Sequence, residues 1–132
     1  SDEEHLPGLI PSNVRAVDMG LREFSFVYDR DVVSAASQPI AFVSKNSGVQ
    51  DHEIVVVRLE TTEPLLDLLK EPEPPESVIF LAGSDVIKPG ESLNTVFVVP
   101  FSPGRYALVC FLPDTDGIPH ALKGMFSEFN VR

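Results

Sequence analysis

Apolar and polar residues alternate at a period of two through most of the chain. In "LREFSFVYD", Arg22, Phe24, Phe26 and Tyr28 alternate with Leu21, Glu23, Ser25 and Val27, so the first set makes the apolar face of a strand. "QPIAFVSKN" brings Ile40 and Phe42, with Ala41 and Val43, to a buried strand that ends at the turn signal Asn46-Ser47-Gly48. "HEIVVVRLE" is apolar on both faces, as a central strand of a sandwich is. The alternation resumes in "SVIFLAG", "SLNTVFVVP" and "GRYALVCF", broken at Lys88-Pro89-Gly90 and Ser102-Pro103-Gly104, and "FSEFNVR" closes the chain. Seven or so short strands at this spacing predict an antiparallel β-sandwich.

One stretch departs from the period. "TTEPLLDLLKE" places Leu65, Leu66, Leu68 and Leu69 at helical spacing, with Thr61 or Thr62 as a cap and Pro64 in the first turn. "PEPPE" cannot continue it, so the segment reads as a short helical insertion between strands. Residues 1–13 carry no periodicity and are expected to form a flexible N-terminal arm, which leaves 14–132 as the folded domain. At 132 residues one domain with one core is expected.

Charge and cysteine content narrow the function. A formal net charge of −10 disfavours nucleic acid and anionic membrane as main partners and is compatible with a basic protein partner, or with solubility alone. No apolar run is long enough to span a bilayer, and nothing reads as a signal peptide. The opening "SDEEHLPG" fits a mature N-terminus left by cleavage or an arbitrary boundary. A single cysteine excludes an internal disulfide, so Cys110 either packs as a small apolar group or does chemistry.

Alternation in "YALVC" puts Tyr106, Leu108 and Cys110 on one face, with Cys110 at the end of an inward row. The turn in "NSGVQDHE" delivers His52 to the start of a central strand. If these strands are neighbours, His52 and Cys110 meet at one end of the core, and His120 and Met125 arrive from the loop that follows. Singly, each is also an ordinary core or strand-end residue. Together, a thiolate and two imidazoles with a weak thioether form the trigonal set that suits copper in electron transfer.

Several segments resemble the cupredoxin (blue copper) family of plastocyanin and azurin relatives. They are "EFSF" in an early strand, N-S-G-x-x-x-H-E around His52, K-P-G-E-S before a late strand, and P-G-x-Y-x-L-x-C leading to Cys110. The resemblance runs from about Glu23 to the C-terminus. It implies a Greek-key β-sandwich holding one copper ion of type 1, with His52, Cys110 and His120 as strong ligands and Met125 as the weak axial one. It further implies an electron carrier rather than an enzyme, a redox partner protein, and a periplasmic or extracellular location. Two features differ from the family pattern. Nine residues separate Cys110 from His120, where two to four are usual, and Glu53 stands beside the first histidine, where asparagine is common. Pro113 and Pro119, with Gly117 between them, are expected to keep the long loop ordered. Phe111, Pro113 and Pro119 are expected to shield the site.

Other candidates are weaker. Asp114 and Asp116 in "PDTDG" lack the further oxygen ligands of a calcium loop and read as a polar turn. There is no glycine-rich phosphate loop, His5 reads as a tail residue, and the aromatic residues read as core. Two rival functions stay open: a copper carrier or storage protein, and a metal-free module using the leucines at 65–69 as its contact surface.

Overall fold

The computed structural model describes residues 10–97 and 99–132. Most of the expected arm, with His5, therefore lies outside the described residues. Among the described residues, eight strands form two four-stranded sheets. The first has the order β2-β1-β3-β6, with β1 at Arg15–Arg22, β2 at Ser25–Val27, β3 at Ile40–Asn46 and β6 at Ser92–Val96. The second has the order β5-β4-β7-β8, with β4 at Val55–Leu59, β5 at Val78–Gly83, β7 at Gly104–Val109 and β8 at Phe126–Val131. Two short helices complete the fold, α1 at Arg30–Ala35 and α2 at Leu65–Leu69.

The β-sandwich stands as expected, with differences in detail. "LREFSFVYD" is a tight hairpin rather than one strand, because the chain reverses at Glu23 and Phe24 and pairs Arg22 with Ser25. Phe24, Phe26 and Tyr28 nonetheless pack on the core, and so does Leu21. Strand β1 itself shows a readable alternation, with Val17, Met19 and Leu21 buried. It pairs with β3 in parallel, from Arg15 opposite Ile40 to Leu21 opposite Asn46, so the first sheet is mixed while the second is antiparallel throughout. Helix α1 went unread because its six residues bury only Val33; the Asp29 carboxylate caps it by accepting from Val32 N at 3.3 Å.

The main core fills the space between the sheets with Leu21, Phe42, Ile54, Val56, Tyr106, Leu108, Cys110, Met125 and Phe129 among others. A second apolar cluster lies on the outer face of β4 and β7. There Leu65 and Leu68 of α2 cover Val57, Leu59, Ala107 and Val109. Burying each leucine contributes about 1.5–3 kcal/mol. Cover on both faces is why "HEIVVVRLE" has no polar side. The expected threonine cap is absent: Pro64 occupies the cap position with no side-chain bond, and Thr61 Oγ1 accepts from Glu63 N instead. Arg105 of β7 anchors the insertion by donating to the carbonyls of Thr61 and Glu63 at 2.7 and 2.8 Å.

Candidate metal centre

Strands β4 and β7 are direct neighbours, with Val55 opposite Val109. His52 lies just before β4, fixed by paired backbone bonds with Ile87, and Cys110 lies just after β7. Both side chains therefore emerge at the same end of the core. His120 begins a 3-10 turn, His120–Lys123, whose last residue leads through Gly124 to Met125. The carbonyl of Met125 accepts from Cys110 N at 3.2 Å, which ties the fourth candidate to the second. His52, Cys110, His120 and Met125 all have 0% exposure.

The nine residues between Cys110 and His120 form a closed hairpin. His120 N donates to Leu112 O, Asp114 N to Ile118 O and Gly117 N to Asp114 O, each at 2.8 Å. Pro113 and Pro119 face each other across it, and Gly117 adopts the positive φ of 84° that the turn requires. The extra length thus folds on itself and returns His120 to the cysteine.

The Cys110 sulfur is 4.0 Å from Nδ1 of His52 and 3.5 Å from Nδ1 of His120. The three donor atoms lie within 4.8 Å of one another. An ion about 2.3 Å from sulfur and about 2.0 Å from nitrogen, in trigonal geometry, separates the two donors by roughly 3.7 Å. The observed distances bracket that value. Two nitrogens, one thiol and no carboxylate among the converging donors form a soft set suited to copper. These residues fit such an ion.

Backbone and side-chain bonds hold each donor. Burial raises the Cys110 thiol above its ordinary range, while backbone N–H groups of Glu53 and Leu112 act in the opposite sense by favouring the thiolate. Burial, and next the adjacent His52 ring, pushes His120 below the ordinary histidine range, which favours the neutral ring a metal needs. The far nitrogens are occupied as well. Nε2 of His52 meets Glu23 Oε2 at 3.0 Å, and Nε2 of His120 meets Gln50 Oε1 at 2.9 Å. The Gln50 amide in turn donates to Asp114 Oδ1 at 2.8 Å, and Lys123 bonds both Asp114 and Asp116. "PDTDG" is accordingly a polar turn whose carboxylates face a lysine.

Glu53, the departure from the family pattern, accepts from Phe111 N at 3.2 Å and so joins the His52 segment to the Cys110 segment. Asn46, distant in sequence from His52, stitches the same region. Its amide donates to the carbonyls of Gln50 and Ile87 at 2.8 Å, and its oxygen accepts from Gly48 N. Shielding is arranged differently from expectation. Phe111 and Pro119 line an apolar cleft of about 280 Å³ against α2, on the outer side of the sheet. The ring beside the site is that of Phe24, 5.4 Å from the His120 ring. Sequence reading passed over Phe24, Glu23 and Gln50 as ligand supports, although "EFSF" had marked the first two of that stretch.

No protein-family model and no curated protein sequence matches the chain. Solved structures do. Auracyanin B superposes with a TM-score of 0.61 at 18% identity, over 96% of this chain and 95% of that one. Auracyanin from the photosynthetic bacterium Roseiflexus castenholzii gives 0.54 at 23% identity, over 92% and 98%. Rusticyanin from Thiobacillus ferrooxidans gives 0.52 at 15% identity, over 96% and 86%. Auracyanin and rusticyanin are cupredoxins, and the likeness spans both sheets. The chain has the cupredoxin fold.

Proposed function

We propose that this protein binds one copper ion through His52, Cys110 and His120, with Met125 as a weaker axial ligand, and carries single electrons. The observation behind this is the convergence of one sulfur and two imidazole nitrogens, all buried, on a scaffold of paired strands. Copper in such a set supplies one-electron chemistry between Cu(I) and Cu(II). The chain's own part is to fix the donors. The β4–β7 register sets the His52–Cys110 spacing, the 112–120 hairpin sets that of His120, and Phe24 and Leu112 exclude water. A pre-built scaffold changes little between oxidation states, which keeps the barrier to electron transfer low.

The partner in this reading is a basic redox protein. Six carboxylates and one lysine lie exposed between residues 60 and 76, which concentrates negative potential beside α2. The working location is periplasmic or extracellular. Among the described residues no helix is long and apolar enough to cross a membrane.

Addition of Cu(II) tests the reading. An intense visible band that disappears in Cys110→Ser, with unchanged β-sheet circular dichroism, is the expected result. Tight Cu(I) binding with little colour would instead indicate a carrier, and absence of binding a metal-free module.

A further inference from the structure

The ligand set does not account for Glu23. This glutamate occupies the turn between β1 and β2, in the sheet opposite Cys110, and its side chain reaches across to the ligand end. Its Oε1 accepts from Val49 N at 2.5 Å and Gln50 N at 3.0 Å, and its Oε2 lies 3.0 Å from His52 Nε2. Room for it comes from Gly48, where a Cβ would overlap the carboxylate. The glycine is required by this close approach and not by its backbone angle. Two backbone donors, one buried imidazole and a missing side chain therefore converge on a single carboxylate.

We infer that Glu23 is a positioning residue for His52, fixing which ring nitrogen is bare and placing a negative charge one imidazole away from the metal. A carboxylate only accepts, so the hydrogen on the His52 ring sits on Nε2 and Nδ1 faces Cys110 with a free lone pair. That is the form a metal takes, already present before it binds. His120 is oriented by a different kind of group. Asp114 Oδ1 accepts one hydrogen bond from the Gln50 amide, which turns Gln50 Oε1 toward His120 Nε2. Its partner is neutral, so of the two imidazoles only His52 carries an anionic one. A carboxylate behind a ligating imidazole raises its basicity and favours the more positive ion. Glu23 thus stabilises Cu(II) over Cu(I) and lowers the reduction potential.

The potential rests on the copper reading above, whereas the ring form does not, so two measurements separate them. Nitrogen-15 NMR of the metal-free protein reads the His52 ring directly. Wild type should show hydrogen on Nε2, and Glu23→Gln should show a mixture of both forms. Cu(I) and Cu(II) affinities then read the charge. Glu23→Gln should lose about tenfold more affinity for Cu(II) than for Cu(I), a rise of about 59 mV for one electron. Glu128→Gln removes the same charge at a contact with Arg105 away from the ligands and serves as the control, leaving the His52 ring form unchanged. Glu23→Asp keeps the charge but shortens the reach, and covers the case in which Glu23→Gln fails to fold; it should mix the ring forms with a smaller change in potential. An unchanged His52 ring in both Glu23 variants would overturn the positioning role, and equal Cu(I) and Cu(II) losses would overturn the effect on potential. If the wild type takes up no copper, the copper reading falls, and the NMR result still decides whether Glu23 orients His52.

Discussion

His52 and His120 face the same sulfur from opposite kinds of support. Behind His52 stands a carboxylate held by two backbone N–H groups, in a turn stitched by Asn46 to the carbonyls of Gln50 and Ile87. Behind His120 stands a relay of side chains, Gln50, Asp114 and Lys123, on a hairpin that reaches the surface. One support is mostly main chain; the other is side chain and ends at the surface in Lys123 and Asp116. Exposed ion pairs contribute little because water and salt screen them, whereas a partly buried carboxylate loses a great deal when its partner goes. The His52 side should therefore behave as rigid architecture and the His120 side as the adjustable wall of the same site.

The largest effect should come from deleting each ring. His52→Ala strips the partner from Glu23, and urea unfolding of the metal-free protein should show a loss of about 3 kcal/mol. His120→Ala leaves only the neutral amide of Gln50, still held by Asp114, and should cost less. A larger loss for His120→Ala would break the comparison. Next come the two glycines. Gly48→Ala drives a methyl group into the Glu23 carboxylate and should cost about 2 kcal/mol while weakening metal binding. Gly117→Ala meets open space and only the penalty of φ 84°, about 1 kcal/mol, with the metal site unaffected. Equal metal affinities in both variants would remove the distinction.

Acid should sharpen the contrast further. Burial alone would raise the Glu23 carboxyl, but bonds from His52 and from Val49 N outweigh it and hold the group below its ordinary value of 4.5. A carboxyl lowered by folding contributes stability that is complete above that value and lost as pH falls through the folded one. The stability curve of Glu23→Gln, measured by urea midpoint below about pH 4.5, should therefore be shallower than wild type. Lys123 leaves the smallest mark. Lys123→Ala releases the exposed Asp116 and the half-buried Asp114, which keeps its bonds from Gln50 and Thr115 N, and should leave the melting temperature nearly unchanged and copper affinity within about threefold. A large drop would mean that the relay, and not the hairpin backbone, holds His120.

Much of this was legible in the chain, for reasons that differ by residue. Strand β7 is covered on both faces, yet its period of two still sets Tyr106, Leu108 and Cys110 on the inner face and carried Cys110 to the right end of the sandwich. His52 followed from the turn signal before β4. The 112–120 hairpin was foreshadowed by its two prolines and Gly117. The parallel pairing of β1 with β3 was not readable, since register between strands distant in sequence leaves no local pattern. Glu23 was hidden for a related reason. Its partners, Val49, Gln50 and His52, lie more than 25 residues away, and alternation placed it on the polar side of a strand that is in fact a turn. Gly48 reads in the sequence as part of a turn signal, whereas the fold needs it for the room it leaves the Glu23 carboxylate.

His52, Cys110, His120 and Met125 share one further property: none has any surface open to solvent. Electrons cross a few ångströms of packed atoms without difficulty, but a chelating agent does not touch the sulfur while the fold stays closed. In the proposed function, exchange of the ion waits for the 120–123 turn or the 46–52 turn to open. Extraction by a strong chelator should then proceed at the rate of that opening and stop responding to added chelator once it is abundant. Such a chamber is permeable to charge and closed to matter.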